Sequence, residues 1–268
     1  VMSVYKNDDP VHFRRALDSI INQTVVPSEI VLVVDGPVPM EIMKYVTEYQ
    51  NRYLFLKPIF LEENQGLGNA LKIAVENASN ELIARMDSDD ISVPDRFEKQ
   101  LMQFKNDKQL SIVGGHITEF IGEENHIVGR RVVPTDHEDI ERYLKKRCPF
   151  NHVTVMFRKS SVLQAGNYRE WFWNEDYYLW VRMYEAGCSF SNIDATLVNV
   201  RVGPDMYRRR GGLRYFRSET ALQRYMLRKR LIRFDQYVFN VTVRFVLQVL
   251  TPSRLRGHIF RQFAREKG

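Results

Sequence analysis

The run Arg85-Met86-Asp87-Ser88-Asp89-Asp90 crowds three carboxylates together. Before it, Glu81-Leu82-Ile83-Ala84 reads as a short buried strand. After it, Ser92-Val93-Pro94-Asp95 reads as a helix start, with a Ser cap, an early proline and an acid three residues beyond the cap. Like charges this close repel one another and need either full solvation or a compensating cation. Mg²⁺ or Mn²⁺ would compensate them and keep coordination sites for phosphate oxygens. A solvated acidic loop that caps a helix is the alternative. Position favours the metal, because open α/β sheets bind ligands at the carboxyl ends of their strands.

Other residues could join such chemistry. Glu175-Asp176 opens a helix beside Trp171, Trp173 and Tyr177, whose flat apolar faces suit sugar rings and lower the local dielectric. An acidic helix start beside core aromatics explains the same residues. His152 lies on an alternating strand, 151–158, and reads as a structural histidine or a site residue. Asp35 ends a strand at Asp35-Gly36-Pro37, which is also a common turn. Asn64-Gln65-Gly66-Leu67-Gly68 opens a helix, and a glycine-rich start lets a phosphate or ribose approach the backbone. Tyr5 ends the first strand, as a core aromatic or as a face for a base. Arg208, Arg209 and Arg210 suit a diphosphate or form a solvated basic loop. Cys148 and Cys188 make neither a metal pair nor a disulfide framework, so reduced thiols in a cytosolic protein are expected.

The elements that must position these groups alternate. Strands are expected at 1–5, 29–34, 55–61, 81–84 and 110–120, and helices at 11–23, 40–50, 66–78 and 94–104. This order predicts an α/β fold with a mainly parallel, doubly wound sheet. Beyond residue 122 the pattern loosens into a strand at 151–158, a short helix at 158–166, a helix from Glu175 to a stop at Gly187, and strand at 189–202. Helices follow at 213–231 and 234–250. The second is too short, and interrupted by Arg244, for a membrane span. The chain opens on Val1 inside a strand with no signal peptide, so a few residues are expected to precede it.

Charge is uneven. Residues 1–200 carry 22 Lys and Arg against 29 Asp and Glu, whereas residues 201–268 carry 17 against 4, and 15 of those 17 are Arg. The acidic first 200 residues argue against nucleic-acid binding, and no nucleic-acid module is visible. The basic, amphipathic tail predicts attachment to an anionic membrane surface.

Ser3-Val4-Tyr5-Lys6-Asn7, Val34-Asp35-Gly36, Asn64-Gln65-Gly66-Leu67-Gly68, Met86-Asp87-Ser88-Asp89-Asp90 and Glu175-Asp176 occur in an order that resembles glycosyltransferase family 2. The resemblance covers about residues 1–200 and extends into the Asp205-Met206-Tyr207-Arg208 segment. It implies an inverting, metal-dependent enzyme of GT-A fold. Its catalytic domain would span 1–207, with a donor half at about 1–120 and an acceptor half at 121–207, and 208–268 would be a basic helical extension. The resemblance sets Tyr5 and Asp35 against uracil, Gly66 near the donor, Asp87 on the nucleoside side and Asp89 on the metal. It leaves Asp90 as a supporting residue or helix cap. It makes Asp176, with Glu175 beside it, the catalytic base, and Arg208 and Arg210 diphosphate contacts. Trp171, Trp173 and His152 are then acceptor-binding candidates.

The activity implied is transfer of a hexose, galactose or glucose with a β-1,3 linkage, from a UDP-sugar to a sugar on a polyprenyl diphosphate in bacterial surface-polysaccharide synthesis. It would act peripherally at the cytoplasmic face of the inner membrane. Three rivals remain at this stage: a peripheral membrane scaffold, a nucleic-acid-binding protein and a sugar nucleotidyltransferase.

Overall fold

A computed structural model describes residues 1–203 and 211–252. Arg208, Arg210 and the basic stretch after Pro252 lie outside the described residues. The first half is β1 (Met2–Tyr5), α1 (Pro10–Ile21), β2 (Ile30–Asp35), α2 (Met40–Arg52), β3 (Leu56–Phe60), α3 (Leu67–Asn77) and β4 (Leu82–Ala84). Strands β1, β2 and β3 pair in parallel, with Tyr5 opposite Asp35. Every residue of β2 is buried, as expected of a strand covered on both faces. Val31 and Val33 join Ala70 and Ala74 of α3 in one core. Leu32 and Val34 join Leu17 of α1 and Val46 of α2 in the other.

A bridge between Met2 and Met86 ties this sheet to a second one. The carboxyl ends of β1, β2 and β4 therefore share one edge, which carries Tyr5, Asp35 and the 87–90 loop.

The second half is β5 (Ile91–Ser92), α4 (Arg96–Asn106), β6 (Leu110–Phe120), β7 (Ile127–Arg131), α5 (His137–Leu144), β8 (Met156–Arg158), α6 (Lys159–Gln164), α7 (Glu175–Glu185) and β9 (Ser189–Arg201). Its sheet runs β4-β8-β6-β9-β5, with β7 on β6. Here the long β6–β9 pair is parallel and its neighbours are antiparallel, so the parallel order is concentrated in the first half.

Three local expectations are corrected. Ser92 does not cap a helix: Ile91 and Ser92 pair with Asn199 and Val198 of β9, and α4 begins after Asp95. Asp90 is likewise no helix cap, because its carboxylate takes the backbone N–H of Arg201 at 2.8 Å. Nor is 151–158 one strand. The Asn151 carbonyl captures the Thr154 N–H at 2.8 Å and winds His152–Thr154 into a 3₁₀ turn, leaving only Met156–Arg158 extended.

Helices α8 (Leu213–Arg228) and α9 (Phe234–Phe245), the latter ending in a π turn at Val246–Leu250, pack on the second half. Leu222 and Met226 of α8 enter the same core as Trp180 of α7. The α8–α9 pair is thus docked on the second half of the α/β fold.

Candidate active site

Asp35 organises the loop after β3. Its carboxylate accepts from the Gln65 N–H at 2.7 Å, the Gly66 N–H at 3.0 Å and Asn64 Nδ2 at 2.9 Å. These donors fill most of its acceptor capacity and hold the 64–66 loop against the end of β2. Gly36 permits that approach: it has a φ of +80°, and a Cβ there would lie 2.5 Å from the Asn64 nitrogen. Gly36→Ala should therefore destabilise the fold by about 1–3 kcal/mol. Thermal unfolding will read a drop of several degrees; an unchanged midpoint would refute the packing argument.

The acidic loop gives each carboxylate a different setting. Asp87 is paired with the guanidinium of Arg85, which is itself buried. Asp90 is buried, and burial followed by repulsion from Asp89 and Asp87 raises its pKa well above the usual carboxylate range. Asp89 opens to solvent, yet protein surrounds it on its other sides. That partial burial, with Asp87 and Asp8 nearby, pushes its pKa up to about 7.

Sequence reasoning missed four residues here. Asp8 accepts from Ser88 Oγ at 2.7 Å and from the Tyr5 N–H at 3.0 Å, and so joins the acidic group. Arg85 has two nitrogens, Nε and Nη1, without hydrogen-bond partners. Arg96, fully buried, donates to the Arg85 carbonyl at 2.8 Å and the Val155 carbonyl at 3.2 Å, bracing the strand end from below. Arg201 lies over the Phe120 ring and donates to the Asp89 carbonyl at 3.3 Å. The sequence signal was available for Arg85 and Arg96, since each stands in an otherwise apolar or helix-starting stretch.

Excess negative charge at a strand end suits a hard divalent cation. No three-residue His, Cys, Asp or Glu cage exists among the described residues.

Helix α7 begins with Glu175 and Asp176. A Cβ on Gly68, in the first turn of α3, would lie 3.5 Å from the Glu175 Cβ, so the starts of α3 and α7 abut. Burial, then repulsion from Asp176, pushes the pKa of Glu175 up to about 7. Burial also raises Asp176, but the Tyr177 N–H, Arg85 and Arg131 oppose it. The Cys148 thiol stands 3.7 Å from Asp176 Oδ2, and burial keeps that thiol protonated as a donor.

Raised carboxyls bind protons more tightly folded than unfolded. The stability that Glu175 contributes is full below its ordinary value near 4.5 and is lost as pH rises through about 7. Metal-free protein should thus melt at lower temperature at pH 8 than at pH 5.5 on this account, and Glu175→Gln should flatten the slope. An identical slope in the variant would rule out the coupling.

The aromatic candidates separate. Trp173 is 46% exposed, stands at a φ of +55° and stacks on Phe172 with planes 12° apart. Arg214 of α8 caps Phe172 at 4.0 Å, and Tyr215 approaches Trp173 at 6.3 Å. Trp171 instead turns toward α8: its indole N–H donates to the Ser218 carbonyl at 3.2 Å and its ring rests on Tyr178. His152 Nε2 meets the Tyr168 hydroxyl at 2.9 Å, and burial followed by the Arg85 charge keeps the ring neutral. Tyr5 is 38% exposed beside Asp35. An apolar cavity of about 410 Å³ lined by Ile20, Val26, Ile30 and Leu101 lies among the opposite ends of the strands, away from the carboxylates.

A doubly wound half, an acidic strand end and a facing carboxylate pair define the class, a glycosyltransferase of GT-A fold. The sequence matches the family described as Glycosyl transferase family 2 over residues 1–166, and the chain belongs to that family. It is 33% identical over 268 residues to the Escherichia coli UDP-Gal:alpha-D-GlcNAc-diphosphoundecaprenol beta-1,3-galactosyltransferase, covering 99% of this chain and 95% of that one. It is 35% identical to the Erwinia amylovora amylovoran biosynthesis glycosyltransferase AmsE, over 100% of this chain and 97% of the other. Among solved structures, the mannosyltransferase PcManGT from Pyrobaculum calidifontis, in complex with GDP-Man and Mn²⁺, superposes with a TM-score of 0.60 at 12% identity. That match covers 98% of this chain and 74% of the other. S. aureus TarS 1-349 in complex with UDP gives 0.58 at 16% identity, covering 98% and 70%. At these identities the two structures speak to the fold alone.

Proposed function

We propose that the protein transfers a hexose, with inversion, from a UDP-sugar to the terminal sugar of a polyprenyl-diphosphate-linked glycan at a membrane surface. The observation that carries this reading is the contact between the donor loop at Gly68 and the carboxylate pair on α7, across from the acidic strand end. Donor and base would then face one another over a single anomeric carbon. Galactose with a β-1,3 linkage to N-acetylglucosamine is the version supported by the relative from Escherichia coli.

In this mechanism Tyr5 and the Asp35-anchored loop receive the nucleoside, and Asp89 with Asp87 would hold Mg²⁺ or Mn²⁺. Such a cation supplies charge neutralisation for the departing diphosphate. Trp173 and Phe172 offer the acceptor sugar an apolar face. Asp176 takes the proton of the acceptor hydroxyl as it attacks the anomeric carbon from the side opposite UDP, which inverts its configuration.

A donor screen with Mn²⁺ and a synthetic lipid-diphosphate acceptor, followed by linkage analysis of the product, tests this. UDP release coupled to a new β-linked disaccharide is the expected result. Release of inorganic diphosphate with formation of an activated sugar would make the protein a nucleotidyltransferase instead.

A further inference from the structure

An amphipathic helix on a soluble protein normally turns its polar side to water. In α9 the sides are reversed. Asn240, Arg244 and Gln248 recur every four residues, and all three are buried. Asn240 Nδ2 donates to the Lys145 carbonyl at 2.9 Å and to Gln223 Oε1 at 2.8 Å. Arg244 donates to the Lys146 carbonyl at 2.7 Å and pairs with Glu219 at 2.9 Å. This polar stripe fastens α9 to the α5 loop and to α8. Phe234, Val238, Phe239, Val243, Val246 and Leu250 are left exposed, Phe234 at 70% and Phe239 at 66%. A contiguous apolar face of this kind marks a surface that meets something other than water.

We propose that the outward face of α9 is an interfacial anchor for an anionic bilayer, lying flat with its apolar side chains in the headgroup–acyl boundary. The inference deepens the proposed function, on which it rests, by naming the surface that meets the membrane. Charge selects this occupant: Arg228, Lys229, Arg230 and Arg233 are all exposed immediately before Phe234, where they would meet lipid phosphates, Lys229 and Arg233 exchanging their pairing with Glu185 and Asp235. Size argues against a second copy of the chain. At 1.5 Å per residue the face is about 25 Å long and one helix wide, so it covers about 250 Å², well below the roughly 800 Å² per partner of a stable dimer. No helix among the described residues is long and apolar enough to cross a membrane, so the anchor lies on the bilayer. Helix α8 bears Arg214 and Tyr215 against the Phe172–Trp173 stack, and α9 packs on α8. Anchoring α9 therefore also keeps that aromatic platform near the lipid.

The test uses the full chain with Phe239→Cys carrying a polarity-sensitive fluorophore, and Glu48→Cys on α2 as the exposed control. Phosphatidylglycerol-containing vesicles should shift the emission at position 239 to shorter wavelength, and brominated lipid should quench it, with position 48 unchanged. Phe239→Glu combined with Val243→Glu should lower the vesicle-bound fraction about tenfold or more while UDP binding persists. The anchor is refuted if vesicles leave the label unchanged. It is also refuted if the label is already buried without lipid: independence of protein concentration would then point to cover by residues after Pro252, and dependence on it to a second copy. Hexose transfer to a short-chain, water-soluble lipid-diphosphate acceptor is measured in parallel without vesicles. Transfer without insertion overturns the anchor alone, and insertion without transfer overturns the proposed reaction alone.

Discussion

Asp89→Ala should remove Mn²⁺-dependent sugar transfer while leaving the fold intact. Of the three carboxylates in its loop, Asp87 is engaged by Arg85 and Asp90 by the backbone of β9, whereas Asp89 opens to solvent. It is the group placed to reach a cation and, through it, a leaving diphosphate. Losing a principal ligand should cost several kcal/mol of transition-state stabilisation, roughly a thousandfold or more in rate. Because Asp89 is repelled by Asp87 and Asp8, its removal should not lower the melting temperature of metal-free protein. Steady-state UDP release with and without Mn²⁺, beside a melting curve, separates the two effects. Near-parental turnover in the variant would end the metal assignment.

Asp176→Asn should bind UDP about as well as the parent and transfer sugar about 10² to 10⁴ times more slowly. An acceptor hydroxyl is a weak nucleophile until a positioned base removes its proton. Two adjacent half-buried carboxyls do not both ionise easily, and the pair titrates as a unit. The surroundings favour the proton on Glu175, because Asp176 has the Tyr177 N–H, Arg85 and Arg131 to stabilise its charge. The ionised member is the base. Glu175→Gln, which mimics the protonated neighbour, should accordingly be milder. Single-turnover transfer measured beside UDP affinity decides the matter: a dead Glu175→Gln with an active Asp176→Asn reverses the assignment within the pair, and two active variants place the base elsewhere.

The donor half was legible because its physics is local. Apolar β-branched runs alternate with helical spacing, and loops at strand ends carry their own glycines and acids. What escaped was set by distant partners. Ile91 and Ser92 resemble a cap until β9 arrives to pair with them. His152 alternates with its neighbours as a strand residue would, yet the Asn151 carbonyl winds the turn. Arg85 and Arg96 stand out locally as charges in an apolar or helix-starting stretch, but only their distant partners bury them beneath the carboxylates. For α9 the sequence predicts a basic, amphipathic, membrane-attached tail, but that Asn240, Arg244 and Gln248 would be buried was set by distant partners in the α5 loop and α8.

Trp173 carries a consequence for how this chain can be improved. A bulky side chain at a φ of +55° holds its backbone in a region that glycine occupies freely, at a cost of about 1–3 kcal/mol. Selection for stability alone would have replaced it. The indole is nevertheless exposed two residues before the carboxylate pair, so the strain sits at the place proposed to hold the acceptor sugar. Stability and turnover therefore pull this one position in opposite directions, and a screen for heat resistance would be expected to erode acceptor use there first.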